Sequence, residues 1–296
     1  MAGAALFIGY KTRQAERRNP PLGEFIDVDG VRLHYVARGE GPPLVLLHGN
    51  GSMVEDFEAS GFIDLAATRF RVIAFDRPGF GHSTRPRGRR WDPESQADLL
   101  FRALQKLDVD RPIVVGHSWG ALAAAAMALQ HPMYVRSLVL VSGYYYPTAR
   151  LDALLAGVPA LPVLGDLLRH TVSPLLGRLL WPGLVRRMFA PMQVPVRFRR
   201  FPMWMALRPS QLRASAAESA LMMPAAFALK RRYRELVMPV MIVAGDSDRF
   251  VETAHSRRLH SELPQSELRL VRGAGHMVHQ VAPRQVLAAV ESIASR

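Results

Sequence analysis

The pattern of hydrophobic and polar positions changes character early in the chain. Residues 25–28 and 31–37 alternate apolar and polar positions on either side of Asp29-Gly30, and this predicts a β-hairpin with a two-residue turn. Continuous apolar runs follow, which are typical of parallel strands buried on both faces of a sheet. The runs lie at residues 44–47, 72–75, 113–115, 138–141, 240–244 and 268–271.

Most segments between these runs have the length of one crossover helix, as at residues 94–107 and 121–131. Alternating strands and helices predict an α/β protein with a doubly wound, mostly parallel sheet. One interval is far longer, because about 100 proline-rich residues separate the runs at 138–141 and 240–244. We interpret it as an inserted cap of short helices at 147–236.

The remaining chain is then divided into a core and an extension. Residues 24–146 and 237–296 are predicted to form the α/β core, on which the cap packs. Residues 1–23 form an extension that is apolar up to Tyr10 and basic after it. Nine or ten apolar residues are too few to span a bilayer. A short membrane-surface anchor and a tolerated extension both fit this segment.

Composition limits the class of protein. The chain has 296 residues, of which 49% are apolar and 21% charged, as in an ordinary globular protein. It has no cysteine, which excludes disulfides, thiolate catalysis and cysteine-ligated metals. No cleavable signal peptide is evident, because the basic residues follow the first apolar run instead of preceding it. We therefore expect a cytoplasmic or membrane-associated protein.

The formal net charge is +13, and most of the excess lies in the predicted cap. Residues 149–235 hold 14 Lys and Arg residues against four acids. The arginines alternate with apolar residues and form no nucleic-acid-binding motif, so nucleic acid is not expected as a partner. An anionic membrane surface or an acidic substrate fits better, and solvated helix faces are the plain alternative.

The run at 112–120 ends in Gly-x-Ser-x-Gly and leads into an alanine-rich stretch at 121–129. A serine in this setting lies on a sharp turn between a buried strand and a helix, and the turn exposes its hydroxyl. Gly116 and Gly120 leave room where the chain approaches itself. Ser118 is therefore the candidate nucleophile.

A serine alone is a weak nucleophile, so this hypothesis requires a base and an acid that orients it. The run at 240–244 is followed by Gly-Asp-Ser-Asp, which contains Asp246 and Asp248. The run at 268–271 is followed by Arg-Gly-Ala-Gly-His, which ends at His276. Ligands of open α/β sheets bind where these residues are placed, beyond the carboxyl ends of strands.

Five motifs carry a resemblance to a known family. They are Leu-His-Gly-Asn-Gly at 47–51, Asp-Arg-Pro-Gly-Phe-Gly-His-Ser at 76–83, Gly-His-Ser-Trp-Gly at 116–120, Gly-Asp-Ser-Asp at 245–248 and Gly-His at 275–276. Through them, from about residue 24 to its end, the chain resembles the α/β-hydrolase fold family. In that family the order along the chain is nucleophile, acid, histidine.

The resemblance implies a role for each candidate. Ser118 would attack the substrate carbonyl, and His276 would take its proton and pass it to the leaving group. Asp248 would orient the imidazole. The family pattern Gly-x-x-Asp favours Asp248 over Asp246 as the acid. His276 follows a glycine after a strand, and this leaves His279 a structural or pocket-lining role.

The resemblance also implies an oxyanion hole. The backbone N–H groups of Asn50 and Trp119 would donate to the oxyanion, with Gly49 as a motif glycine beside Asn50. His48 and His117 flank these groups, and we expect both to orient their loops by hydrogen bonds. No metal or organic cofactor is required.

The resemblance to the α/β-hydrolase family offers a second use for Asn50, because a residue like it contacts halide through its side chain in haloalkane dehalogenases. Those enzymes, like epoxide hydrolases, need an aspartate where this chain has Ser118, so halide and epoxide chemistry are excluded at this stage.

The first hypothesis for function is a serine hydrolase that cleaves a carboxylic ester, with lipid and aromatic esters as candidates. The substrate is then a small ester or acyl compound. An acyltransferase or perhydrolase would use the same residues, and a non-catalytic ligand-binding receptor is the alternative of another class. Neither the substrate nor the oligomeric state follows from the sequence.

The cap would act as a lid over an apolar acyl pocket, or its large apolar residues would simply attach cap to core. These residues are Trp181, Phe189, Phe198, Phe201, Met203, Trp204, Met205, Met222, Met223 and Phe227.

Overall fold

The computed structural model describes residues 2–148 and 157–296 of the chain. Its eight strands are β1 Glu24–Val28, β2 Val31–Arg38, β3 Pro43–Leu47, β4 Arg71–Phe75, β5 Ile113–His117, β6 Ser137–Val141, β7 Val240–Gly245 and β8 Ser266–Val271. They form one sheet in the order β1-β2-β4-β3-β5-β6-β7-β8. β2 pairs antiparallel with β1 and β4, and all other pairs are parallel. The predicted mostly parallel α/β sheet is confirmed.

The predicted hairpin joins β1 to β2. Val28 pairs with Val31, and the two residues between them, Asp29 and Gly30, have φ angles of 49° and 75°. A two-residue turn with both φ angles positive matches the right-handed twist of the flanking strands. The turn signal in the sequence therefore located this connection correctly.

The helices of the described residues are α1 Ala2–Arg18, α2 Val54–Ser60, α3 Phe62–Ala67, α4 Pro93–Lys106, α5 Trp119–Gln130, α6 Leu164–Thr171, α7 Ser173–Phe189, α8 Met203–Ala206, α9 Pro209–Lys230, α10 Ala254–Glu262, α11 Val278–Val281 and α12 Pro283–Ala294. The predicted crossover helices at 94–107 and 121–131 correspond to α4 and α5. Asp92 caps α4 by accepting a hydrogen bond of 2.9 Å from the Ser95 N–H, and Pro93 occupies the first turn. Proline is favourable there because its missing N–H would have no partner inside the helix.

Helices cover both faces of the sheet. On one face α4 and α5 form a core with the strands, in which Leu100, Leu122 and Leu140 are fully buried. On the other face α3 and α12 pack through Phe62 and Ile293. Burying such a side chain stabilises the fold by about 2 kcal/mol, so these two layers hold the carboxyl edge of the sheet rigid.

The described residues between β6 and β7 are mainly helical and include α6, α7, α8 and α9. Part of the predicted cap at 147–236, residues 149–156, lies outside the described residues. The expectation of short helices was wrong in two places. Helix α7 contains Pro182 and is 17 residues long, and helix α9 contains Pro224 and is 22 residues long. An internal proline removes one hydrogen bond and costs about 3 kcal/mol, which buried side chains such as Phe189 and Leu229 offset by packing.

The N-terminal segment is also helical. Helix α1 packs on α6 and α8, and Ile8 and Ala15 are buried at these contacts. Leu6 and Tyr10, in contrast, are 73% and 57% exposed. Within residues 2–148 and 157–296, we find no helix that combines the length and the apolar content needed to cross a bilayer.

Candidate active site

Ser118 lies between β5 and α5 in a strained backbone conformation, with φ 54° and ψ −118°. The glycines around it are needed for close approach. A Cβ atom on Gly116 would lie 2.5 Å from the carbonyl oxygen of Gly120, and one on Gly120 would lie 2.3 Å from that of Leu47. The Ser118 N–H donates to the Val141 carbonyl at 2.9 Å, which fixes the turn to β6. The predicted sharp turn is therefore present.

The structure brings Ser118, His276 and Asp248 into one chain of hydrogen bonds. His276 Nε2 lies 3.0 Å from Ser118 Oγ, and His276 Nδ1 lies 2.9 Å from Asp248 Oδ2. The imidazole and the carboxylate are almost fully buried, whereas Ser118 is partly exposed. This order allows the imidazole to accept the serine proton while the carboxylate stabilises the imidazolium.

The two candidate acids have different surroundings. Asp248 Oδ1 accepts from the backbone N–H groups of Phe250 and Val251 at 2.8 and 2.9 Å, which aims its other oxygen at His276. Asp246 is exposed and accepts from the Gly273 N–H at 2.8 Å. It therefore connects the turn after β8 to the end of β7. Among the described residues, no hydrogen bond joins Asp246 to the His276 imidazole.

Two backbone N–H groups flank the serine. The Trp119 N–H belongs to the first turn of α5, where helix geometry supplies no acceptor. The Asn50 N–H has no acceptor in any hydrogen bond within the described residues. A Cβ atom on Gly49 would lie 3.1 Å from Ser118 Cβ, so the loop after β3 passes directly beside the nucleophile. These are the two predicted oxyanion donors.

Asn50 also holds the loop to the helical segment. Its side-chain amide donates to the Ser215 carbonyl and to Ser219 Oγ, both at 3.1 Å and both on α9. Its amide is therefore occupied by α9.

A buried ion pair that no sequence pattern predicted lies behind this loop. Arg77 Nη2 lies 3.0 Å from Glu218 Oε2 on α9, and both side chains are fully buried. The same guanidinium donates to the carbonyls of His48 and Gly49 at 2.8 and 3.0 Å. Arg77 thus fixes the two peptides that precede Asn50. The Asp-Arg-Pro-Gly motif contained it, but no local signal pointed to a partner in α9.

Trp119 completes this contact. Its indole N–H donates to the Glu218 carbonyl at 3.3 Å, and its ring lies 4.9 Å from the Arg77 guanidinium. Asn50 and Trp119, which carry the two predicted oxyanion donors, are therefore both held by the same turn of α9.

His48 and His117 orient loops, as expected. His48 Nε2 accepts the Arg77 N–H at 3.0 Å, while Nδ1 donates to the Gly49 carbonyl at 2.8 Å. Burial, and then the charge of Arg77, lower the pKa of His48 to about 3, so it stays neutral. His117 Nε2 lies 3.2 Å from the carbonyl oxygen of His276 and so holds the histidine loop beside the serine turn.

Asp56, His117 and His279 are the group of described residues that could hold a metal ion, with ligand atoms within 4.8 Å of one another. All three are buried. Asp56 Oδ2 already contacts His279 Nε2 at 3.0 Å, and Oδ1 accepts from Gln280 at 2.6 Å. These partners hold the pKa of Asp56 well below its ordinary value despite its burial. Both carboxylate oxygens of Asp56 are thus bonded within the chain, which agrees with a structural role for His279. Nδ1 of His117 and Nδ1 of His279 have no hydrogen-bond partner among the described residues.

The comparisons with known proteins decide the family. The family model of the alpha/beta hydrolase fold matches residues 42–283. The chain belongs to this family. Its match extends through the serine turn, the acid loop and the histidine loop.

Relatives of this α/β hydrolase have different activities. The chain is 30% identical over 269 residues to 2-(acetamidomethylene)succinate hydrolase of Mesorhizobium japonicum, covering 90% of this chain and 92% of that protein. It is 28% identical over 281 residues to haloalkane dehalogenase 2 of Mycobacterium bovis, covering 92% and 94%. A membrane phospholipase A, described as a bacterial virulence factor, superposes with a TM-score of 0.72 at 23% identity, covering 99% and 91%.

These findings make the protein an α/β-hydrolase enzyme and fit a small-molecule substrate. They do not choose the bond that is cleaved, because the family supports several chemistries on one fold.

Proposed function

We propose that the protein is a serine hydrolase that cleaves a carboxylic ester through an acyl-enzyme on Ser118. One observation carries this proposal: Ser118, His276 and Asp248 are linked by hydrogen bonds of 3.0 and 2.9 Å in the order that nucleophilic catalysis requires. Serine in the nucleophile position argues against the dehalogenase activity of the 28%-identical relative, for which an aspartate is needed.

The reaction would proceed in two steps. Ser118 Oγ attacks the ester carbonyl while His276 Nε2 takes its proton. The resulting oxyanion receives hydrogen bonds from the Asn50 and Trp119 N–H groups, a contribution of about 3 kcal/mol per donor in such sites. His276 then protonates the leaving alkoxide. Water, deprotonated by the same imidazole, releases the acid and restores the serine.

The proposal also divides the chain into three parts: an extension at 1–23, a core at 24–146 and 237–296, and a cap at 147–236. The cap would select the acyl group. Met222 and Phe250 both pack against the buried cluster of Tyr144, Ala226 and Val251. The Phe250 ring lies 4.9 Å from that of His276, so an apolar side chain adjoins the imidazole. Most of the cap's other large residues, Phe189, Phe198 and Met205 among them, pack into one cluster that attaches it to the core.

Replacement of the nucleophile tests the mechanism. Ser118→Ala is expected to lower the turnover of p-nitrophenyl esters by about 10⁴-fold, because no other group can form the acyl-enzyme. A fluorophosphonate probe should label the wild-type protein and not this variant. Ser261→Ala, on helix α10, is the control and should retain full turnover.

Equal turnover by Ser118→Ala and the wild type would refute the mechanism. An absence of ester turnover in both proteins, together with ligand binding, would favour the receptor. Methanol or hydrogen peroxide added as a competing acceptor divides hydrolysis from acyl transfer, because transfer yields a methyl ester or a peracid.

We further propose that the enzyme associates with an anionic membrane surface. Helices α6 and α7 carry a set of exposed apolar side chains, here called the leucine face: Leu164, Leu167, Leu175, Leu176, Leu179, Leu180 and Leu184, each 38–76% exposed. Contiguous exposed apolar surface of this kind marks interaction sites. Arg186 and Arg187 are exposed at the end of α7, near the level that lipid headgroups would occupy.

Helix α1 extends the leucine face. Trp204 contacts both helices, since its ring lies 6.3 Å from that of Phe7 and 5.8 Å from the Arg178 guanidinium of α7. Exposed Leu6 and Tyr10 therefore lie on a helix that borders the same surface. Flotation with phosphatidylglycerol vesicles tests the proposal, and protein that stays wholly in the unbound fraction would contradict it.

A further inference from the structure

A cleft of about 440 Å³ lies away from Ser118, between the loop at 85–91, the turn Val158–Ala160 and helices α6 and α9. Positive charges predominate among the side chains that line it. Among the residues that the structure describes, six arginines and one acid, Asp166, line it. The arginines are Arg85, Arg87, Arg89, Arg90, Arg169 and Arg213.

The single acid is shared. Asp166 Oδ1 lies 2.9 Å from Arg87 Nη2, and the same oxygen accepts from Arg169. Arg169 is only 2% exposed, and its Nε has no hydrogen-bond partner among the described residues. A buried guanidinium with an unused donor in the wall of an open cleft is costly unless a ligand satisfies it.

Two other arginines have no carboxylate partner among the residues that the structure describes. Arg85 donates to the Pro78 carbonyl at 3.1 Å, and Arg213 donates to the Arg85 carbonyl at 2.5 Å. Burial lowers the pKa of Arg85 to about 10; the charges of Arg77 and Arg213 add to this effect, and the Glu218 carboxylate opposes it. Like charges are therefore held together here at a cost in free energy.

Helix α9 separates this cleft from the active site. Ser215 and Glu218 face the loops after β3 and β4, where they contact Asn50 and Arg77. Arg213 and Leu221 line the cleft on the other side of the helix. A ligand in the cleft would therefore contact α9 without touching the reacting atoms.

We propose that this arginine cleft is a binding site for a phosphate monoester group, separate from the active site. Phosphate matches the donors, because it carries about −1.5 to −2 charges at neutral pH and three oxygens that accept paired guanidinium bonds. Such a group would neutralise Arg85 and Arg213, and it would lie against Arg169, which lines the same cleft. A single carboxylate offers fewer acceptors and less charge.

The phosphate has two potential sources. Leu161 and Pro162 line the cleft and lead into α6, which carries part of the leucine face. A lipid with a phosphomonoester headgroup would reach the cleft from a docked membrane. A free phosphorylated metabolite would enter from solvent, and the chemistry of recognition is the same for both.

Calorimetric titration of the full-length protein with inorganic phosphate, at constant ionic strength set by chloride, tests the site. We expect Arg87→Gln and Arg213→Gln each to weaken phosphate binding about tenfold or more. The control is Arg284→Gln, an exposed arginine on α12 that removes the same charge and should leave the affinity within about twofold. Arg87 is 71% exposed in its side chain, so that variant preserves the fold even if another does not.

Vesicles distinguish the two sources. Tighter binding to phosphatidic acid than to phosphatidylglycerol at matched surface charge, lost in Arg87→Gln, would support the lipid headgroup. Phosphate binding without this preference would support a free phosphorylated ligand. The proposal is overturned if wild-type protein binds phosphate no better than chloride, or if all three variants bind phosphate as the wild type does. Ester turnover by Ser118 is independent of either outcome.

Discussion

The inner and outer surfaces of the helices between β6 and β7 differ sharply. On the inner surface of α9, Glu218 is fully buried against Arg77, and its neighbours Ser215 and Ser219 receive the amide of Asn50. On the outer surface of α7, five leucines are exposed to solvent and Arg186 and Arg187 have no carboxylate partner among the described ion pairs.

This difference separates two tasks. On the inner surface, the Glu218 carboxylate and the side-chain N–H groups of Asn50 have partners within the chain, close to the proposed oxyanion hole. The outer surface leaves apolar area and positive charge unsatisfied, which stabilises nothing in the folded chain. The proposed membrane association would cover a surface of the second kind, and the following predictions test the contrast.

The largest effect is expected from breaking the inner ion pair. Glu218→Ala leaves the Arg77 guanidinium buried without its carboxylate, so the free energy of unfolding should fall by about 3–5 kcal/mol in urea titration. Turnover should fall as well, because Arg77 holds the carbonyls of His48 and Gly49.

The matched control is Glu235→Ala, which removes an exposed ion pair with Arg232. That pair should contribute less than about 1 kcal/mol. Equal destabilisation by the two variants would show that the buried pair is not the contact that holds α9 to the core.

A smaller effect concerns Glu55, a buried residue of α2 whose carboxyl oxygens have no hydrogen-bond partner among the described residues. Burial, and then the charge of Asp76, raise its pKa to about 8. The folded protein therefore binds one more proton than the unfolded chain between about pH 4.5 and about pH 8. The free energy of unfolding should fall as the pH rises through this window.

Glu55→Gln should flatten that pH dependence by about 1 kcal/mol or more, measured by urea titration on either side of the window. Glu40→Gln, at an exposed position, should leave the profile parallel to that of the wild type. A Glu55→Gln profile that still falls like the wild type would assign the slope to another group.

The smallest effect on stability is expected at the outer surface. Leu179 is 76% exposed, so Leu179→Asp should change the free energy of unfolding by less than about 0.5 kcal/mol. The same change should reduce flotation with anionic vesicles, because it places a negative charge in the leucine face. Turnover of a water-soluble ester should not change.

Met133→Asp is the control, since Met133 is 82% exposed and lies in the connection between α5 and β6. It should leave vesicle binding intact. Equal loss of binding in both variants would mean that net charge, and not the leucine face, governs association.

The sheet and the positions of Ser118, Asp248 and His276 were predictable because their signals are local. An apolar run buries itself as a strand wherever it packs, and a motif directly after a run is carried to the carboxyl edge of the sheet. Asp246 and Asp248 could be separated only by the family pattern. The structure adds the reason: two backbone N–H groups orient the second of them.

The helices around Pro182 and Pro224 show where local reasoning failed. A proline predicts a helix end because it removes a hydrogen bond. In α7 and α9 the helix continues, since packing against the core supplies more free energy than the proline removes. Local propensity has the weaker influence wherever a helix is held by tertiary contacts.

By itself, the sequence determined the α/β class and the serine turn. It also determined which predicted strand precedes each candidate residue, and the excess of positive charge. Only the tertiary structure decided that Glu218 neutralises Arg77 across 141 residues of chain, and that arginines from three segments line one cleft. The tertiary structure also decided which leucines remain exposed to solvent. The physical reason is that burial and charge pairing depend on which surfaces meet, and a one-dimensional pattern does not contain that information.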